Sequence, residues 1–292
     1  MDDRARPKKT PMYEALNASR YQRQELIRAI QDRSGTPFIA YLSGPDALIN
    51  RADTAYFNDL LYHLTANTNL DMLLHTPGGD IDAAEKLMFI VRSRVGVGRL
   101  RVIVPDFAKS AGTLMAIGAD EILMGNTSEL GPIDPQMTVT DAQGNSITQP
   151  VQSYLQAHKT LSERLKRDPD DIAAQILLGK LDPATIVLFE AVRNRARTFA
   201  ENQLRLARNS AYTLVASKLI DGEKWPTHEY PINWEDATAI GINVTHLEPD
   251  DVRWDEYWRL YCLQRLAVKD GEKLFESEYA SAISPSPDSP SR

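Results

Sequence analysis

Short apolar runs alternate with amphipathic helical patterns through the first half of this chain. The runs at 36–42, 70–75 and 100–105 are rich in Ile, Leu, Val and Phe, and they recur at intervals of roughly 30 residues. Helical patterns at 52–65 and 81–95 separate them, and a shorter apolar run at 121–124 predicts a fourth strand. Strands that alternate with helices in this way form right-handed βαβ units, so the sequence predicts an α/β fold with a parallel sheet covered by helices.

Two loops that follow strand ends contain the residues that could take part in catalysis. The second run leads into Gly78 and Gly79, and the third leads to Ser110 at the expected start of a helix. Because ligands bind beyond the carboxyl ends of parallel strands, we expect the two loops to meet in one crevice. Glycine lets a backbone N–H approach a ligand closely, so the N–H groups of Gly79 and Ala111 could form an oxyanion hole beside Ser110. The ordinary alternative for such a serine is a helix cap.

Charge and composition narrow the function classes. Lys and Arg number 33 against 40 Asp and Glu, so the net charge of −7 argues against nucleic acid or an anionic membrane surface as the main partner. The one cysteine, Cys262, excludes an internal disulfide framework and suits a reducing compartment. No apolar run reaches the roughly 18 residues of a membrane span, and the first residues lack the apolar centre of a signal peptide. We therefore expect a cytoplasmic protein without a membrane span.

The second half of the chain has mostly helical patterns, which fall at 151–166, 183–207, 214–220, 235–240 and 252–266. The last of them places Trp254, Tyr257, Trp258 and Tyr261 on one helical face, which predicts packing in the core or at a subunit interface. Histidines and cysteines do not cluster at metal-ligand spacing, so we expect no metal and no cofactor.

Several motifs together resemble a known family. They are HTPGGDIDAA at 75–84, the segment IVPDFAKSAGTLMAIGADEILMG at 103–125, GPIDPQ at 131–136 and WPTHEYPINWEDATAIGINV at 225–244. The combination resembles the serine dehydrogenase proteinase family, which is similar to signal peptide peptidase A and the Clp proteolytic subunits. The resemblance extends over about 36–244 and implies a Clp/crotonase-like fold of repeated β-β-α and βαβ units.

The resemblance also implies roles for individual residues. Ser110 would be the nucleophile of a serine peptidase, and Gly78, Gly79 and Ala111 would border the oxyanion hole. A wall against the substrate would consist of Gly131, Pro132 and Ile133. The resemblance implies a peptide or protein substrate, a homo-oligomer and no cofactor.

The general base is left open between a lysine and a histidine. Clp subunits carry a histidine about 25 residues after the serine, whereas residues 131–134 contain none. Signal peptide peptidases resemble Ser/Lys enzymes, and Lys159 follows Ser110 by 159 − 110 = 49 residues, within the range of that resemblance. A lysine base must be neutral, which requires burial or nearby positive charge to lower its pKa from about 10.4. The alternative base is His228, with Glu229 near the position of the Clp triad aspartate; His75 and His158 are weaker candidates.

The sequence thus predicts an ATP-independent serine endopeptidase with a Ser110–Lys159 dyad. Alternatives are a peptidase that uses His228, a catalytically silent scaffold and an acyl-CoA hydratase or lyase, which would need catalytic carboxylates. The expected organisation is a polar tail and helical arm at 1–34, a Clp/crotonase-like peptidase domain at 35–248, an aromatic helix for packing or oligomerisation at 249–280 and a Pro/Ser-rich disordered tail at 281–292.

Overall fold

A computed structural model of the 292-residue chain describes residues 9–140, 146–222, 224–225 and 227–285. Its strands are β1 Phe38–Ser43, β2 Leu70–His75, β3 Leu100–Val104, β4 Phe107–Ala108, β5 Glu121–Met124, β6 Glu129–Leu130, β7 Gln136–Thr140, β8 Ser146–Pro150, β9 Val244–His246, β10 Glu272–Ser277 and β11 Ser281–Pro285. Its helices are α1 Pro11–Leu16, α2 Ala18–Ser34, α3 Asp53–Leu60, α4 Ile81–Val95, α5 Ala111–Ala116, α6 Val151–Arg167, α7 Ile172–Leu178, α8 Pro183–Leu206, α9 Tyr212–Leu219, α10 Trp234–Ile240 and α11 Val252–Ala267.

A seven-stranded sheet lies at the centre of the molecule, in the order β11-β10-β1-β2-β3-β5-β9. The five strands from β1 to β9 in this order run parallel, and β10 and β11 are antiparallel to their neighbours. The strands β1, β2, β3 and β5 lie where the apolar runs predicted them. Strands of a parallel sheet are covered on both faces, which is why these runs are almost continuously apolar. The predicted α/β architecture is confirmed.

The two faces of the sheet bury separate hydrophobic clusters. In β1, Ile39 and Tyr41 pack toward α3, α4 and α5, whereas Phe38, Ala40 and Leu42 pack toward α2 and α11. The alternation follows from the period of two along a strand. Helices therefore cover both faces, and the carboxyl ends of β2 and β3 point toward the loops that contain the glycine pair and Ser110.

The aromatic face of α11 packs inside the chain. Trp254, Tyr257 and Tyr261 are buried in the same cluster as Ile27 and Ile30 of α2. These three side chains therefore pack within the chain, and Trp258 of the same face is partly buried against the cluster. The helical arm expected within 1–34 is likewise part of the core from α2 onward, while residues 1–8 lie outside the described residues.

The prediction of a disordered tail from residue 281 is wrong for 281–285, which form β11 against β10; residues 286–292 lie outside the described residues. Strand β10, which pairs with β1, was also not predicted from the sequence. Its sequence, EKLFES, contains three charged residues, so it does not have the apolar pattern of a buried strand. Those charges are satisfied from distant parts of the chain, because Lys273 pairs with Asp53 and Glu276 pairs with Arg23.

Smaller elements frame the loops at the carboxyl edge of the sheet. The short strands β4 and β6 pair in parallel, with α5 and β5 between them in the chain, and β7 and β8 form an antiparallel pair that leads into α6. Val151 and Leu155 of α6 pack on Phe189 of α8 in a third, small cluster. Within the described residues no single helix is long and apolar enough to cross a bilayer; α7 and α8 reach that length and apolarity only as a pair bent by 72°.

Candidate active site

Ser110 lies at the turn between β4 and α5 in an unusual backbone conformation. Its φ is 50° and its ψ is −116°, values that favour glycine and cost other residues strain energy. The side chain makes no capping hydrogen bond to α5. The structure therefore contradicts the simple capping role, and the hydroxyl is not engaged by the helix. A strained turn from strand to helix that presents a serine hydroxyl is the geometry of a nucleophile elbow.

The glycine loop after β2 packs directly against Ser110. A Cβ placed on Gly78 would lie 2.8 Å from the carbonyl oxygen of Lys109 and 2.9 Å from Ser110 Cβ, and the φ of Gly78 is 107°. Thr76 joins the two loops, since its N–H donates to Phe107 O at 3.1 Å and its carbonyl accepts from Lys109 N–H at 3.0 Å. The loops meet in one crevice as predicted, and only glycine fits this approach.

Two backbone donors beside Ser110 are unengaged. The N–H of Ile49 donates to Gly78 O at 2.8 Å, and the N–H of Asp80 donates to Ile49 O at 3.0 Å. The Gly79 N–H between these two bonds has no hydrogen-bond partner among the described residues. The N–H of Ala111 opens α5, where the first amides of a helix have no acceptor within the helix. Both groups are free to donate to a ligand oxygen.

Ser110 and His228 line the same cleft, which has a volume of about 740 Å³. Its apolar surface comes from both sides of the site, and includes Leu48, Pro77, Ile81, Pro135, Met137, Ala191 and Val192. Gly79 and Glu229 also contribute, together with the charged side chains of Asp80, Asp82 and Arg195. The cleft therefore combines a nucleophile candidate, an imidazole and apolar surface.

His228 is held by its neighbours in the segment between α9 and α10. The indole of Trp225 donates to the carbonyl of Lys218 at 2.6 Å, and reciprocal backbone bonds of 2.9 and 3.0 Å join Leu130 and Ile232. His228 Nδ1 is buried and has no hydrogen-bond partner within the described residues. A buried polar atom without a partner is costly, so this nitrogen is a site where a further contact is expected.

Asp134 is a candidate site residue that sequence reasoning missed. Burial raises the pKa of its carboxyl, and the Gln152 backbone amide and the charge of His228 oppose that rise. Its Oδ1 is also buried without a partner among the described residues. The one signal in the sequence is its place in the GPIDPQ segment, 134 − 110 = 24 residues after Ser110.

The expected substrate wall lies behind the cleft surface. Gly131, Pro132 and Ile133 are buried and do not line the cleft, whereas the next residues, from Pro135 to Met137, do. The Thr113 hydroxyl accepts from Gly131 N–H at 2.9 Å, and Ile133 N–H donates to Leu219 O at 2.9 Å. Gly131, Pro132 and Ile133 therefore lie behind the residues that line the cleft and do not face a substrate directly.

The structure does not bring Lys159 to Ser110. Lys159 is exposed on α6 and lines a separate groove, of about 350 Å³, together with His158 and Glu163. Lys159 therefore lacks burial, which is one of the two conditions for a neutral lysine base. His75 is also outside the cleft lining: it packs against Phe107 and Tyr261, where burial, aided by the charge of Arg265, lowers its pKa to about 3. Among the described residues, no three His, Cys, Asp or Glu side chains are grouped to hold a metal ion.

The chain matches the model of a known protein family over more than half of its length. The model of the ClpP-like SDH-type serine proteinases matches residues 61–270, which include the glycine pair, Ser110, Asp134 and His228. The chain belongs to this family. The resemblance found from the motifs is thereby confirmed.

Two proteins of Methanocaldococcus jannaschii, both uncharacterised, are similar to this chain. The first is 30% identical over 186 residues, which are 63% of this chain and 56% of that protein. The second is 25% identical over 241 residues, 79% of this chain and 74% of the relative. The chain thus spans little more than half the length of the first of these relatives.

Solved structures with a similar arrangement are more distant. A variant of the 1510-N membrane-bound stomatin-specific protease has 18% identity and a TM-score of 0.43, over 74% of this chain and 82% of that one. ClpP1 from Listeria monocytogenes has 14% identity and a TM-score of 0.41, over 78% and 96% of the two chains.

Proposed function

We propose that this protein is a serine peptidase in which Ser110 is the nucleophile, His228 the general base and Asp134 the carboxylate that orients the base. The observation that carries the proposal is that Ser110 and His228 share one cleft, while Lys159 is exposed in another groove. Membership of a serine proteinase family supports the reaction class.

The acylation step needs a proton acceptor for the serine. Ser110 Oγ attacks the carbonyl carbon of the scissile peptide bond, and its proton passes to the imidazole of His228. The C–N bond then breaks as the imidazolium returns that proton to the leaving amine, which leaves an ester on Ser110. Water, activated by the same imidazole, hydrolyses the ester.

Asp134 suits the third role better than Glu229. A hydrogen bond from His228 Nδ1–H to Asp134 Oδ1 would satisfy two buried atoms that otherwise lack partners among the described residues. It would fix the tautomer in which Nε2 accepts the serine proton, and it would stabilise the imidazolium. Glu229 is exposed, and its charge is therefore screened by water.

The oxyanion of the tetrahedral intermediate would bind the N–H groups of Gly79 and Ala111. Both are free, and both border Ser110 through the Gly78 contact and the start of α5. Preorganised backbone donors of this kind commonly contribute about 3–4 kcal/mol to transition-state stabilisation. Cleavage within a chain and independence from ATP stay predictions from the family resemblance.

The test is acylation by a fluorophosphonate probe, read by mass spectrometry of the Ser110 peptide. We expect no label on Ser110→Ala, and for His228→Ala a fall in the rate of labelling of about 10²–10⁴, the usual contribution of a general base. Lys159→Ala is the matched control and should label at the wild-type rate. Normal labelling of His228→Ala with loss in Lys159→Ala would overturn the choice of base, and an unlabelled wild type beside a labelled serine hydrolase would overturn the reaction class.

A further inference from the structure

A fully buried ion pair joins β10 to the start of α3. Lys273 of β10 donates from Nζ to Asp53 Oδ1 at 2.7 Å, and each side chain is 1% exposed. The hydroxyl of Tyr41, also fully buried, donates to Asp53 Oδ2 at 3.2 Å. Burying two charges costs much of what their attraction returns, so such a pair is weak evidence for stability alone.

The carboxylate also fixes a turn at the start of α3. Asp53 Oδ2 accepts from the N–H of Asn50 at 3.0 Å, which holds the residues before α3 in place. The neighbouring residue, Ile49, is thereby held against the glycine loop: it donates to Gly78 O at 2.8 Å and accepts from Asp80 N–H at 3.0 Å.

The contact at Gly79 leaves no room for a side chain. A Cβ on Gly79 would lie 2.5 Å from both the nitrogen and the oxygen of Ile49, so the two backbones touch. Gly79 itself has φ of 144°, and the bonds on either side of it leave its N–H directed away from Ile49. The direction of this N–H is therefore set by Ile49.

We propose that Lys273 and Asp53 are positioning residues that hold the Gly79 amide at the oxyanion hole, acting through Asn50 and Ile49. This inference rests on the proposed peptidase function for its catalytic consequence. Neither residue touches substrate. A strand near the end of the chain, which lies beyond the glycine and serine motifs, thus contributes to catalytic geometry.

A second buried pair on the same strand provides a matched control. Arg23 and Glu276 are 4% and 0% exposed and joined at 2.9 Å, and Glu276 also accepts from Gln264 and Ser281. These contacts join α2, α11 and β11 and reach no residue of the cleft. Disrupting this pair removes comparable buried charge without altering the support of Ile49.

The experiment compares Lys273→Met, the double variant K273M/D53N and the control R23M/E276Q. In the double variant no charge is left unpaired, so we expect it to fold even if Lys273→Met does not, and the neutral amide at position 53 is a weaker acceptor for the Asn50 N–H, so the turn before α3 should loosen. We expect kcat for a peptide or ester substrate to fall about tenfold or more with KM within twofold of wild type, because an oxyanion hole acts on the transition state. Hydrogen exchange at the Asp80 amide should accelerate at least tenfold.

The control R23M/E276Q should keep the wild-type kcat and Asp80 exchange while its melting temperature falls. Wild-type kcat and wild-type Asp80 exchange in folded K273M/D53N would overturn the positioning role, as would equal losses in the control. The exchange measurement does not depend on activity. If wild-type protein fails to acylate, the peptidase proposal fails while accelerated exchange still supports the link from Lys273 to the glycine loop.

Discussion

Ser110 holds a backbone conformation that costs a residue other than glycine about 1–3 kcal/mol. The cost is borne by the structure around the turn: Gly78 packs on one side, and on the other Gly112 lies where a Cβ would be 2.5 Å from Thr76 Cγ2. A strained residue persists only where its surroundings over-determine it. The packing around this turn therefore keeps the Ser110 backbone in its strained conformation.

The replacement Asp134→Asn should separate activity from stability. Because burial raises the pKa of Asp134 above its ordinary value of 3.8, the folded protein binds this proton more tightly than the unfolded chain does. Stability from this group is therefore full below pH 3.8 and is lost as pH rises through the raised pKa. In chemical unfolding experiments on Asp134→Asn, we expect the free energy of unfolding to lose this contribution to its fall with rising pH. We also expect kcat to fall by a factor of about 10²–10⁴, because His228 loses its orienting partner. Wild-type kcat would contradict the role, and Glu229→Gln is the control that should leave kcat unchanged.

At the scale of elements, α5 and the GPIDPQ segment behave as one unit. The Thr113 hydroxyl lies 2.7 Å from Ala108 O and 3.0 Å from Gly131 O, and it accepts from Gly131 N–H at 2.9 Å. One buried side chain thus joins the strand before Ser110, the helix after it and the segment that contains Asp134. The relative placement of the proposed nucleophile and the proposed orienting carboxylate depends on this junction.

Replacing Thr113 with valine should damage the junction without changing its shape. The buried N–H of Gly131 would lose its acceptor, which costs about 1–3 kcal/mol of unfolding free energy. Urea unfolding measures this loss. Thr238→Val is the control, because that exposed hydroxyl donates within α10 to Trp234 O, and its removal should change stability by less than about 0.5 kcal/mol. Equal effects of the two substitutions would show that the Thr113 contacts contribute little.

At the scale of the whole molecule, elements near the two ends of the described chain pack against each other. Helix α2, α11 and β10 share one hydrophobic cluster and the buried Arg23–Glu276 pair. Trp254, Tyr257 and Tyr261 of α11 are buried by this packing, so the homo-oligomer expected from the family resemblance would not use these three side chains. Exposed large apolar side chains are concentrated instead on α7 and the first turns of α8: Ile172, Ile176, Leu177, Val187 and Leu188. Such a patch is typical of an interaction surface.

We expect the protein to self-associate through this patch. Light scattering coupled to size exclusion should give a mass that is a multiple of 32.7 kDa, and the double variant I176D/V187D should shift it toward the single-chain mass. Leu266→Asp on α11 is the control, since Leu266 is exposed outside the patch and its replacement should leave the mass unchanged. A monomeric wild-type protein would refute the expectation.

Local patterns in the sequence were sufficient for the parallel core. Apolar runs at strand length predicted β1, β2, β3 and β5, and the helix from 81 to 95 was predicted with the bounds that α4 has. The same local reasoning found the glycine pair and Ser110, because residue type and position after a strand are properties of a short segment. It failed at β10, where Lys273 and Glu276 are charged residues in a buried strand.

The places of the two candidate bases in the fold depended on tertiary structure alone. Lys159 and His228 are both plausible from spacing, but exposure on α6 and a place in the cleft are properties of packing between distant elements. The sequence by itself determined the fold class, the nucleophile candidate and the glycine loop, since these depend on local periodicity and backbone chemistry. The tertiary structure decided which imidazole lines the cleft of Ser110, the burial of Asp134 and the pairing of Lys273 with Asp53, because each depends on contacts between residues far apart in the chain.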